Sequence, residues 1–178
     1  MKKLGLLLFV LMFGLVALAG CQADTVDIGI VLPTRDEPRW IQDEERFLAA
    51  LEDTDYSVEI LFSQGSTATE LSNVETLISK GIKVLIITAQ DGDAAGAAVE
   101  AAKAEGITVI AYDRLITNTD AVDYYVTFDS IAVGEAQGQY LVNQATGTGN
   151  PLYLYAGAAS DNNAFLFFEG AWNVLQPK

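Results

Sequence analysis

The stretch that decides the fold is Lys80-Gly81-Ile82-Lys83-Val84-Leu85-Ile86-Ile87, with a counterpart one unit later in Glu105-Gly106-Ile107-Thr108-Val109-Ile110. In both, a charged residue closes a helical pattern and a glycine follows, suited to the left-handed position that ends a helix. An apolar, β-branched run comes next, and strands apolar on both sides belong to parallel sheets covered on both faces. Working outward, the same rhythm predicts strands over 26–32, 58–62, 84–88, 109–112 and 124–128. Helices are expected between and after them over 39–51, 68–80, 94–105 and 132–145. Strand and helix in strict alternation mark an α/β fold, a Rossmann-like doubly wound parallel sheet. The helix over 68–80 is read with a buried stripe of Leu71, Val74, Leu77 and Ile78 and a capping box of Thr67 with Glu70.

After residue 145 comes the turn-rich break Thr146-Gly147-Thr148-Gly149-Asn150-Pro151, then a predicted strand over 152–156, a loop over 157–162 and a helix over 164–175. This reads as the first βα unit of a second lobe, and one strand with one helix cannot bury a core of its own. The expected division is 21–130 for the first lobe, 131–150 for a helix and crossover, and 151–178 for the start of a second lobe that the chain leaves incomplete.

The amino terminus reads differently. Met1-Lys2-Lys3 precedes an apolar run over 4–19, which is short against the roughly 20 residues of a membrane span, and the run ends Leu18-Ala19-Gly20-Cys21. Residues 1–20 are thus expected to be a secretory signal, and Leu18 to Cys21 resembles a bacterial lipobox, in which the cysteine becomes the lipidated first residue. The alternative is an uncleaved anchor followed by an ordinary cysteine. Cys21 is the only cysteine, so no disulfide framework is available. Losing Lys2 and Lys3 with the signal would move the net charge from −14 to −16, which repels phosphate backbones and argues against nucleic acid as a partner. Histidine is absent, and with it the commonest general base and metal ligand. These absences argue against an enzyme, and no metal or other cofactor is expected.

A doubly wound sheet takes ligands in the crevice beyond the carboxyl ends of its strands. Three segments fall there. Pro38-Arg39-Trp40 sets a guanidinium beside an indole, Tyr112-Asp113-Arg114 sets an acceptor beside a donor, and Asp161-Asn162-Asn163 opens the last helix. Forked donors and acceptors with an aromatic plane suit a sugar, whose hydroxyls both donate and accept and whose C–H face is weakly apolar. Plainer readings stand beside these. Trp40 is equally a core residue, Arg39 a solvated charge, Asp113 with Arg114 a local ion pair, and one of Asp161 to Asn163 an N-cap.

Taken together, the lipobox, Ile28-Gly29-Ile30-Val31, Pro38-Arg39-Trp40, residues 80–87, Ile110-Ala111-Tyr112-Asp113-Arg114-Leu115-Ile116 and Asp161-Asn162-Asn163-Ala164 resemble the periplasmic sugar-binding proteins of the xylose-binding and multiple-sugar-binding branch. The resemblance implies a type I periplasmic-binding fold, with two Rossmann-like lobes joined by three crossing strands and closing over one monosaccharide of the xylose, glucose or galactose type. It implies ligand contacts from Arg39, Asp113, Arg114, Asp161 and Asn163, with Trp40 as an apolar wall or packing residue. It also implies delivery to an ABC permease by a protein lipid-anchored through Cys21 on the outer face of the membrane. A sugar-sensing module for a chemoreceptor or sensor kinase is the alternative, as is a truncated fragment without binding activity. Members of that family continue well beyond the length seen here, so this chain is expected to hold part of a binding site and to bind sugar weakly at best.

Overall fold

The computed structural model describes residues 25–145, 149 and 151–176. The predicted signal over 1–20 and the lipidation site at Cys21 lie outside the described residues. Five strands are present: β1 (Ile28–Leu32), β2 (Val58–Phe62), β3 (Val84–Ile87), β4 (Thr108–Tyr112) and β5 (Tyr124–Val126). The helices are α1 (Pro38–Leu51), α2 (Thr67–Ser79), α3 (Gly96–Ala104), α4 (Ser130–Gln144) and α5 (Asn162–Leu175). All strand pairs are parallel, in the order β2-β1-β3-β4-β5. The order reverses at β1, which hydrogen-bonds β2 on one side and β3 on the other, so the crevice opens at that switch point.

Two apolar clusters flank the sheet. Under α2 and α3 lie Val31, Leu85, Ile87, Val109 and Ala111 with Val74, Leu77 and Val99 from the helices. Under α1 lie Ile30, Leu32, Trp40 and Phe62, with Phe47 and Tyr112 packed against them. β5, the edge strand after β4, is exposed along its whole length. Gly81 and Gly106 adopt φ of 78° and 76°, the left-handed geometry expected after a helix.

Three local expectations are corrected. The cap of α2 is Ser66, whose Oγ accepts from the Thr69 N–H at 3.2 Å, and Glu70 turns inward instead of completing a capping box with Thr67. The buried stripe of α2 accordingly runs through Glu70, Val74 and Leu77, leaving Leu71 exposed. Residues 152–156 form no strand, since no strand among the described residues pairs with them to complete a ladder, and Tyr153 and Tyr155 face solvent.

α4 packs on α5 at backbone contact. A Cβ added to Gly134 would lie 2.2 Å from the Phe167 carbonyl oxygen, and one on Gly170 would lie 2.1 Å from that of Ile131. The short approach carries the last helix back to the sheet's carboxyl edge.

Candidate functional site

α1 begins with Pro38, whose fixed φ suits the first helical position. Glu37 stands at the cap but spends its carboxylate on Trp40, accepting the indole N–H at 3.0 Å. Trp40 is only 2% exposed and its ring joins the core beneath α1. One turn of helix thus anchors the indole and leaves Arg39 at the rim, its guanidinium 4.4 Å above the ring, where the π face attracts a cation.

β4 delivers the acceptor. Asp113 adopts φ of 66°, a left-handed conformation that costs a non-glycine residue on the order of 1 kcal/mol. Its peptide groups are held on both sides. The Asp113 N–H donates to the Val126 carbonyl at 2.8 Å, and its carbonyl accepts from Thr127 Oγ1 at 2.9 Å, Tyr125 OH at 3.1 Å and Asn163 Nδ2 at 3.1 Å. The carboxylate is 4% exposed, a burial tolerated because Arg39 Nη2 pairs with one oxygen and Asn163 Nδ2 donates to the other at 3.2 Å.

α5 supplies the facing groups. Asp161 is its N-cap, accepting the Asn163 N–H at 2.9 Å through Oδ1, while Oδ2 lies 3.2 Å from Arg114 Nε. The pair is close in charge but misaligned, and Arg114 Nε makes no hydrogen bond. Arg114 Nη1 donates instead to the Ala89 carbonyl at 3.1 Å, and its guanidinium lies 5.5 Å from the Trp40 ring, so two cations share one indole. Asn163, 3% exposed, is oriented by Ser130 at the start of α4, whose hydroxyl donates to its Oδ1 at 3.1 Å.

The six residues singled out in the sequence therefore meet at one place, across the gap between sheet tips and α5. Burial opposes the charge on Arg39, but the hydrogen bond and charge of Asp113 outweigh it and hold the guanidinium's pKa above its ordinary value. An open cleft along the seam, lined by Asp91, Asp93, Leu115, Thr117, Ser160 and Phe165, lies beside this constellation and includes none of the six. The Gly92 N–H donates across that seam to the Ser160 carbonyl at 3.1 Å.

Several participants escaped the sequence reading. Asp43, 3% exposed, gathers Arg39 Nε at 3.6 Å, Arg46 Nη1 at 3.1 Å and the Tyr112 hydroxyl at 3.2 Å. Its spacing of four from Arg39 and three from Arg46 was a visible signal. Glu70 signalled itself as a charge in an otherwise apolar helical stripe. Tyr125 and Thr127 carried no signal, since only the left-handed turn at Asp113 brings them near; Ser130 follows a predicted strand, but its bond to Asn163 depends on the approach of α4 to α5.

Residues 28–178 match the profile of a periplasmic binding protein domain. The chain belongs to the periplasmic binding protein family. Among the family's curated members it is 38% identical over 159 residues to the multiple sugar-binding periplasmic protein SbpA of Azospirillum brasilense, covering 86% of this chain and 44% of that protein. It is 37% identical over 155 residues to the D-xylose-binding periplasmic protein of Escherichia coli, covering 87% and 46%. Among solved members it superposes on a carbohydrate transporter solute binding protein from Chloroflexus aurantiacus, in complex with D-glucose, with a TM-score of 0.80 and 74% identity, covering 85% of this chain and 44% of that one. The fold is the α/β type I arrangement of these sugar-binding relatives. The chain spans less than half the length of the relatives it matches.

Proposed function

We propose that this chain is the ligand-capturing part of an ABC-type sugar importer and holds an aldose between its strand tips and α5. The observation that carries this reading is Asp113: a buried carboxylate at a strained strand end, met by Arg39 from α1 and by Asn163 from α5. A sugar hydroxyl can accept from a guanidinium and donate to a carboxylate at once, so Arg39, Asp113, Arg114, Asp161 and Asn163 form a set of forks suited to adjacent ring hydroxyls. Trp40 serves as the floor that fixes both guanidiniums. The relatives' ligands, D-glucose and D-xylose, favour an aldopyranose. The protein binds and does not transform its ligand. Closure of the two lobes presents the complex to a membrane permease, and Cys21 tethers the chain to the outer face of the membrane.

Calorimetric titration with D-glucose, D-xylose, D-galactose and D-ribose tests this. Because α5 and its leading loop are what the second lobe contributes among the described residues, a dissociation constant in the ~mM range is expected for at least one aldose. Silence across all pentoses and hexoses would reject the reading, and comparable binding of a non-carbohydrate solute in their place would redirect it. Tethering is tested separately by metabolic labelling with a fatty-acid analogue, which is expected to mark the wild-type chain and not Cys21→Ala.

A further inference from the structure

Behind Arg114 lies a group that the ligand-binding reading does not use. Glu70, in the first turn of α2, is 1% exposed, and its Oε2 accepts the N–H of Gln90 at 2.8 Å. The carbonyl of Ala89 belongs to the same peptide unit as that N–H, and it accepts from Arg114 Nη1 at 3.1 Å. In a trans peptide the N–H and C=O point in opposite directions. The Ala89–Gln90 peptide therefore stands between a carboxylate and a guanidinium, with its dipole aligned to both, and bonds strung in this way strengthen one another.

From this geometry we propose that Glu70 is a positioning residue for Arg114. It fixes the Ala89–Gln90 peptide, and through that peptide it sets the guanidinium over Trp40 and toward Asp161. The consequence for sugar binding rests on the function proposed above, whereas the positioning itself does not. A glutamate is an expensive choice for a buried helix position, and the alternative reading as a helix cap is removed because Ser66 does the capping. The charge is balanced poorly. Burial pushes the Glu70 carboxyl up to about 7, the Gln90 N–H, the nearby Ser63 hydroxyl and Arg114 draw it down less strongly, and Asp91 adds to the rise. Near neutral pH the relay thus alternates between an ionised state that grips the peptide and a protonated state that grips it less.

The test is a nitrogen-15 NMR titration of the wild-type chain and of Glu70→Gln from about pH 5 to 9, following the Gln90 amide and the Arg114 Nε–H. In the wild type both signals are expected to move together with one midpoint near neutrality, and in Glu70→Gln the inflection is expected to vanish. D-glucose affinity is expected to fall about fivefold between pH 8 and pH 5.5 in the wild type, since a charge-assisted bond is lost, and to stay level in Glu70→Gln. Should that variant fail to fold, Glu70→Asp keeps the charge but withdraws it by one methylene, and a reduced glucose affinity at pH 8 is expected. Flat signals in the wild type, or an inflection that survives in Glu70→Gln, would overturn the proposal. A shared inflection with no aldose bound at any pH would support the positioning role and reject the proposed ligand.

Discussion

At the scale of single residues, Asp113 shows why a strand tip makes a site. Regular β geometry sends successive side chains to opposite faces of a sheet, so two neighbouring residues at the end of β4 would ordinarily diverge. A left-handed φ of 66° breaks the alternation, and Asp113 and Arg114 both reach groups of α5. Asn tolerates that conformation and fills the same volume, so Asp113→Asn is expected to leave the thermal midpoint within a few degrees of wild type while lowering aldose affinity at least tenfold through loss of the charged acceptor. Calorimetry on both proteins separates the two effects. Trp40→Ala behaves in the opposite way, since it removes a fully buried ring that packs in the core beneath α1 and lies under two guanidiniums. A loss of about 3–5 kcal/mol in a urea titration is expected. Arg39, Trp40, Asp113 and Arg114 were legible in the sequence because strand ends can be located from hydrophobic pattern alone. Asp113's left-handed backbone was not legible, because its partners, Tyr125, Thr127 and Val126, come from a different strand and its exit.

Among the elements, the contact between α4 and α5 decides whether the second half of the site meets the first. Gly134 and Gly170 allow main chains to touch, and a side chain at either would collide with a carbonyl oxygen that cannot move independently of its helix. Gly134→Val is expected to cost about 1–3 kcal/mol and to raise hydrogen exchange across α5, with the Asn163 amide exchanging faster as its cap loosens. Gly81→Ala offers the contrast. Nothing lies within 4 Å of the added Cβ, and the cost, about 1 kcal/mol, arises from the left-handed φ of 78°. Elements with a strong apolar period were found in the sequence to within two residues at most boundaries. The strand expected over 152–156 failed for a reason the pattern does not contain, because a strand is stable only beside another strand. The misplaced cap of α2 failed for a local reason: Ser66 and Thr67 are both good caps, and only the inward turn of Glu70 toward Gln90 decides between them.

For the whole molecule, charge sets the response to pH. A carboxyl raised from 4.5 to about 7, as Glu70 is by burial, keeps its proton in the folded state over a window in which the unfolded chain has lost it. Stability from this group is therefore present at low pH and declines as pH rises from about 4.5 to 7, by up to roughly 3 kcal/mol. Asp27 runs the other way. The Lys83 hydrogen bond, with help from Ser57, lowers it to about 2, so its contribution is present above 3.8 and is lost as pH falls toward 2. The difference in thermal midpoint between wild type and Glu70→Gln, measured from pH 4 to 8, is expected to shift steadily against the wild type as pH rises; a constant difference would contradict the assignment. The parallel sheet and the broad place of the site could be read from the chain because both follow from the order of elements. The pairing of α5 with the tip of β4, Asn163 with Asp113 and Asp161 with Arg114, was not legible in the sequence, since tertiary closure brings residues some 50 positions apart within hydrogen-bonding distance. That closure is also what a ligand would report most directly. In a nitrogen-15 NMR titration with D-glucose, the account predicts shifts concentrated at the amides of residues 39–40, 113–114 and 161–163. Shifts confined to other surfaces, or none for any aldose at saturating concentration, would contradict it.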